Sequence, residues 1–198
     1  MASTEKKIQA HIDRAPNGSI FYPADFSEYG SNEAVNVALH RLVKLKLIKR
    51  IAHGIYAKPY KSNLIGEVDP GAEEIAKAIA RRDKAKLLPT GAYAQHLLGL
   101  STQVPLRLVY YTDGAARTIN LDQTSIVFKK ASPKKIALKG ELSKLAVMAL
   151  SDIGKDQLTK EEKDKVIEVL QKENPDHLKH DIKLAPRWIG EIMAKALK

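Results

Sequence analysis

The 198-residue chain has no cysteine. That excludes a disulfide scaffold, a thiol nucleophile and every cysteine-ligated zinc or iron–sulfur site, and it is compatible with a reducing, cytoplasmic setting. It also has no run of about 18 apolar residues, so no membrane span is expected. The first residues, Met1 to Lys7, lack the apolar stretch of a signal peptide. A phosphate-cradling glycine loop followed by Lys-Ser/Thr, a GxSxG elbow and an HExxH helix are all missing. The expectation is therefore a protein that is not an enzyme and uses no cofactor and no metal. Acidic residues are absent from two long windows, between Glu33 and Glu67 and between Asp122 and Glu141.

Against those absences stands an excess of 33 Lys+Arg over 23 Asp+Glu, a formal charge of +10. Such a balance favours an acidic partner, nucleic acid foremost. The first acid-free window holds Arg41, Lys44, Lys46, Lys49, Arg50, Lys58 and Lys61; the second holds Lys129, Lys130, Lys134, Lys135 and Lys139. An apolar content of 44% supports a folded core.

The first 60 residues read as helix, short helix, long helix and hairpin. Ile8 and Ile12 share a helix face that ends at Pro16-Asn17-Gly18, and Ser19–Tyr22 is β-prone. Pro23 opens a brief helix ending near Tyr29-Gly30. Ser31 caps a helix running to about Leu47, with Val35, Ala38, Leu39 and Leu42 as its apolar stripe. Ile48–Ala57 forms two short strands around His53-Gly54. Three helices followed by a basic hairpin are the winged helix-turn-helix order. The stretch Pro59–Gly71 interrupts the periodicity and serves as a linker, giving a winged helix-turn-helix domain over 1–61 and an α+β domain with a helical C-terminus over 62–198. The fold class expected for the whole is α+β.

In a winged module the second helix of the motif reads the major groove and the wing lies on the backbone or the minor groove. The candidate DNA-binding residues are Asn32, Asn36, His40, Arg41, Lys44, Lys49, Arg50 and His53. Asn offers adenine a donor–acceptor pair, whereas Arg41 and Lys44 suit phosphates. Two other constellations are weaker. His177 and His180, beside Asp176 and Asp181, have a metal-compatible spacing but sit at a helix start after Asn174-Pro175. Asp113 with Lys129 and Lys130 has the look of a nuclease site, yet Ile126-Val127-Phe128 stands where a second metal-binding carboxylate is needed.

Several stretches together resemble the AbiE-type antitoxins of type IV toxin–antitoxin and phage abortive-infection systems. They are Ser31–Val43 leading into Ile48–Tyr56, then Leu98-Gly-Leu-Ser-Thr-Gln-Val-Pro105, Tyr111-Thr-Asp-Gly114 and Ala185-Pro-Arg-Trp-Ile189. The resemblance implies a winged helix that represses its own operon by binding double-stranded DNA upstream of its gene. It also implies a C-terminal domain that neutralises a nucleotidyltransferase toxin without forming a stable complex, and it brings no catalytic residue. Within Leu98–Pro105, Thr102 and Gln103 are functional candidates, with a packed helix-to-strand turn as the alternative. A winged module that docks protein, and a degenerate nuclease-like enzyme, stand as the competing functional classes.

Overall fold

Two serines start the first two long helices. Ser3 accepts from the Lys6 N–H ahead of α1 (Thr4–Arg14), and Ser31 accepts from the Ala34 N–H ahead of α2 (Asn32–Lys44). The computed structural model describes residues 3–62 and 66–197. The architecture is α+β. The chain divides into two compact units, Met1–Ala78 with Asn120–Asp122, and Ile79–Ile119 with Gln123–Lys198.

In the first unit, β1 (Ile20–Phe21), β2 (Lys49–Ala52) and β3 (Ile55–Ala57) form an antiparallel sheet in the order β1-β3-β2. A 3-10 turn, Pro23–Tyr29, leads from β1 toward α2. Ile8 and Ile12 of α1 meet Val35, Ala38, Leu39 and Leu42 of α2 in one core with Phe21, Phe26, Ile48 and Tyr56. The β2–β3 hairpin turns at His53-Gly54, where Gly54 has φ +66°. The register shifts between Arg50 and Ala52, a bulge that strengthens the local twist.

The expected end of α2 near Leu47 is corrected to Lys44. The Lys46 N–H donates to the Val43 carbonyl and the Leu47 N–H to the Leu42 carbonyl, which together close the helix in a Schellman motif. The residue that turns the chain there is Lys46, with φ +57°. Glycine is the usual occupant of that position, so the sequence offered no stop signal.

The expected linker is partly a hairpin. β4 (Tyr60–Ser62) pairs antiparallel with β5 (Gly66–Val68); Asn63, Leu64 and Ile65 of that stretch lie outside the described residues. The Tyr60 ring lies over Gly18, where an added Cβ would fall 2.1 Å from Tyr60 Cζ. At the start of α3 (Ala72–Arg82) the Glu74 carboxylate takes the Gly71 N–H, and it also accepts from the Tyr60 hydroxyl.

Lys58 does not project from the basic window. Its ammonium donates to the carbonyls of Ile12, Asp13 and Ala15, at 3.0, 3.0 and 2.8 Å. The Ile12 carbonyl also takes the Ala15 N–H, and a cation at this helix end meets the negative end of the helix dipole.

The second unit contains β6 (Leu87–Pro89), α4 (Ala92–Leu97), β7 (Arg107–Thr112), β8 (Arg117–Asn120) and β9 (Ser125–Lys130), then α5 (Pro133–Ile136) and α6 (Glu141–Ile153). α7 (Lys160–Leu170), α8 (Pro175–Leu184), α9 (Arg187–Met193) and a last 3-10 turn, Ala194–Leu197, complete it. The sheet order is β6-β7-β9-β8, with β6–β7 antiparallel and β7–β9 parallel. α6 packs against α4, α7, α8 and α9. Five consecutive residues, Ala146 to Leu150, are buried, so the middle of α6 is interior on every side.

The first N–H groups of such a helix need partners. Asp181, wholly buried, accepts from the Lys139 and Gly140 N–H groups, the latter at 2.8 Å. Glu173 accepts from the Leu142 and Ser143 N–H groups at 2.7 and 3.2 Å. A Cβ on Gly140 would sit 2.5 Å from the Glu173 carboxylate, so a side chain there would push that carboxylate from its place.

Two stability predictions follow from these charges. Asp181→Ala leaves buried donors without a partner and is expected to cost about 3 kcal/mol, measured by urea denaturation. Lys58→Met removes three charge-assisted bonds and is expected to destabilise the first unit by about 2 kcal/mol, while leaving hydrogen-exchange protection of α6 unchanged.

Candidate nucleic-acid interface

α2 buries one face and exposes the other, and its wheel fixes which side chains project. Opposite the Val35/Ala38/Leu39/Leu42 face, Glu33, Val37, His40 and Lys44 fall within about 60° of arc. All four are exposed. Asn36 and Arg41 flank that ridge on either side, and Asn32 lies furthest from its centre, at the first helical position. The hairpin carries the remaining expected residues, Lys49 and Arg50 on β2 and His53 in the turn, all exposed.

The eight expected residues differ in what already holds them. Arg41 donates to the Glu5 carboxylate of α1 at 3.0 Å. Lys49 pairs with Asp69, and that hydrogen bond holds its ammonium above the usual lysine range against the opposing effect of desolvation. Arg50 Nη2 lies 3.1 Å from His53 Nδ1. A guanidinium can only donate, so His53 Nδ1 is the acceptor in this pairing. Among the described residues, no hydrogen bond or ion pair engages the side chains of Asn36, His40 or Lys44.

Glu33 lies in the first turn of α2. Hydrogen bonds from its own backbone and from Ser31 hold its carboxyl below the usual carboxylate range. A carboxylate there favours the helix dipole, and in a major groove it can accept from the cytosine amino group. Val37, 51% exposed, was passed over because the sequence reading considered only polar residues on that face. The available signal was an aliphatic residue falling on the polar side of the wheel.

Charge is distributed unevenly. The first unit holds 11 Lys+Arg and 10 Asp+Glu, a net of +1, whereas the second holds 22 and 13, a net of +9. Part of the second basic window has internal work. Lys130 donates to the carbonyls of Asp113 and Gly114, and the Lys135 ammonium lies 3.8 Å above the Tyr111 ring.

The weaker constellations resolve into structural roles. Asp113 accepts from the Lys86 N–H at 2.7 Å, as a turn residue does. Asp181 is occupied by backbone donors and by His180 Nδ1 at 2.8 Å. Among the described residues, no group of three His, Asp or Glu could hold a metal ion, and no helix is long and apolar enough to cross a membrane. Within Leu98–Pro105, Leu98 is buried, whereas Thr102, Gln103 and Val104 face solvent, Val104 at 71%. Gly99, with φ +69°, ends α4, and its carbonyl accepts from Lys165.

Like Lys84, Lys46 is an exposed cation with a left-handed backbone. Glycine adopts its left-handed backbone without the Cβ penalty, so Lys46→Gly is expected to raise stability by about 0.5–1 kcal/mol, measured as a higher thermal midpoint.

No curated protein matches the chain. Residues 7–178 match DUF6088, a family of unknown function, and the chain belongs to that family.

Proposed function

We propose that the first unit is a winged helix-turn-helix that inserts α2 into the major groove, with the β2–β3 hairpin as its wing. The chain is then a DNA-binding autorepressor and not an enzyme, acting in the cytoplasm. By the sequence resemblance its second unit is of the AbiE antitoxin type, linked functionally to a nucleotidyltransferase toxin.

The observation that carries this reading is the exposed ridge of α2. Asn36, Val37, His40 and Lys44 project from a rigid helix whose opposite face is locked into the core. These residues provide an amide for adenine, an apolar surface for a thymine methyl, an imidazole and a phosphate-binding cation. A basic hairpin follows directly in the chain.

One observation favours a second reading, a winged unit that docks protein. The net charge of the first unit is only +1, and Arg41 and Lys49 are already paired with carboxylates. A near-neutral unit gains little non-specific attraction to DNA, so any DNA affinity it has must come from base contacts and a few placed cations.

The two readings separate in fluorescence anisotropy with duplex DNA from immediately upstream of the gene and with a scrambled duplex, at about 50 and about 200 mM salt. The autorepressor reading expects tight binding to the upstream duplex alone, persisting at the higher salt. Equal weak binding to both duplexes gives the lead to protein docking. Within a specific complex, Asn36→Ala is expected to relax base preference at one position, at a cost of about 1–3 kcal/mol. Lys44→Ala is expected to weaken every sequence alike and lower the salt slope by about one. Replacing thymine by uracil, one position at a time, is expected to weaken the wild type but not Val37→Ala at the base Val37 contacts.

A further inference from the structure

The second unit contains a cleft that the proposed function does not use. It measures about 260 Å³ and lies between the α6–α7 connection and the C-terminal helices. Leu158, Trp188 and Ile192 give it an apolar lining, and Lys155, Lys163 and Lys195 line it as well. Trp188 is the single tryptophan of the chain and is only half-buried.

The charges around this cleft are unbalanced. Its one carboxylate, Glu191, is drawn to Arg187 Nε at 3.2 Å. Among the described residues, no ion pair or hydrogen bond engages the side chains of Lys155, Lys163 or Lys195. Three like charges gathered at one cleft repel one another, and without an internal counter-ion they favour an anion from solution.

The other half of the chemistry is the indole. An aromatic ring at a wet boundary, with its apolar face available, stacks planar bases of any sequence. Lysine ammonium groups bind phosphate as point charges. The volume lies near the lower limit for small-molecule pockets, which suits one nucleotide rather than a polymer.

We propose that this cleft binds a nucleoside monophosphate, with the base on Trp188 and the phosphate among Lys155, Lys163 and Lys195. The site is formed entirely within the second unit, so the proposal stands independently of DNA binding by the first.

The test titrates the full chain with the four ribonucleoside 5′-monophosphates, with adenosine and with inorganic phosphate, by equilibrium dialysis. Trp188 emission is followed in the same samples. At least one monophosphate is expected to bind with a Kd of about 0.1–1 mM and to quench the emission. Adenosine and inorganic phosphate are expected to bind at least about tenfold more weakly, since each offers half of the contacts. The double variant Lys163→Gln/Lys195→Gln should lose about tenfold in affinity at an unchanged thermal midpoint, and Trp188→Phe should retain part of the binding. The proposal is overturned by no retained nucleotide at millimolar concentration, by inorganic phosphate binding as tightly as the nucleotides, or by affinity that the double variant leaves intact.

Discussion

α6 is buried through its middle, and the second unit is organised around the backbone N–H groups at its start. Two carboxylates engage them from outside the helix. Asp181 takes the N–H groups of Lys139 and Gly140, and Glu173 takes those of Leu142 and Ser143. Both charges also lie at the positive end of the helix dipole. Because Asp181 belongs to α8 and Glu173 immediately precedes its cap, the same bonds fix where α8 lies along α6. α9 then crosses α8 closely, with Gly190 passing 3.2 Å from the Ile182 carbonyl by the position an added Cβ would take.

The first unit applies the same constraint with the opposite sign. α1 ends against the chain leading out of β3, and Lys58 supplies the cation that its last carbonyls lack. With α1 held there, Ile8 and Ile12 lie against the apolar stripe of α2, and the polar ridge of α2 is turned to solvent. The ridge is thus presented by packing, while its chemistry is set by side chains that take no part in the core. Lys58 is committed to carbonyls at the end of α1, and Arg41 and Lys49 are paired with carboxylates while staying open to solvent. A basic window in the chain therefore overstates the charge that a partner would meet.

Much of this was legible from the residues. Ser31, the 3, 4 and 7 spacing through Leu42, and the glycine of His53-Gly54 located α2 and the hairpin, because capping, periodicity and turn geometry are local effects. The end of α2 was not: Lys46 takes the left-handed position that glycine usually fills, and only the closing hydrogen bonds reveal it. The pairing of Tyr60–Ser62 with Gly66–Val68 was also hidden, since a short polar hairpin has neither an apolar run nor alternation. Val37 was missed because an exposed aliphatic residue is visible only once the buried face is known.

The amino-acid sequence by itself determined the local elements, the absence of cysteine chemistry, the net positive charge and the polar face of α2, since each depends on residue identity and near-neighbour spacing. Tertiary structure decided which charges remain available. Lys58 and Asp181 are surface residue types by composition, yet each is committed to backbone groups more than 40 positions away in the chain. It also gathered Lys155, Lys163 and Lys195 around Trp188, a set spread over 41 residues. Such assignments depend on helix ends and helix crossings that bring distant residues together, and no local pattern encodes them.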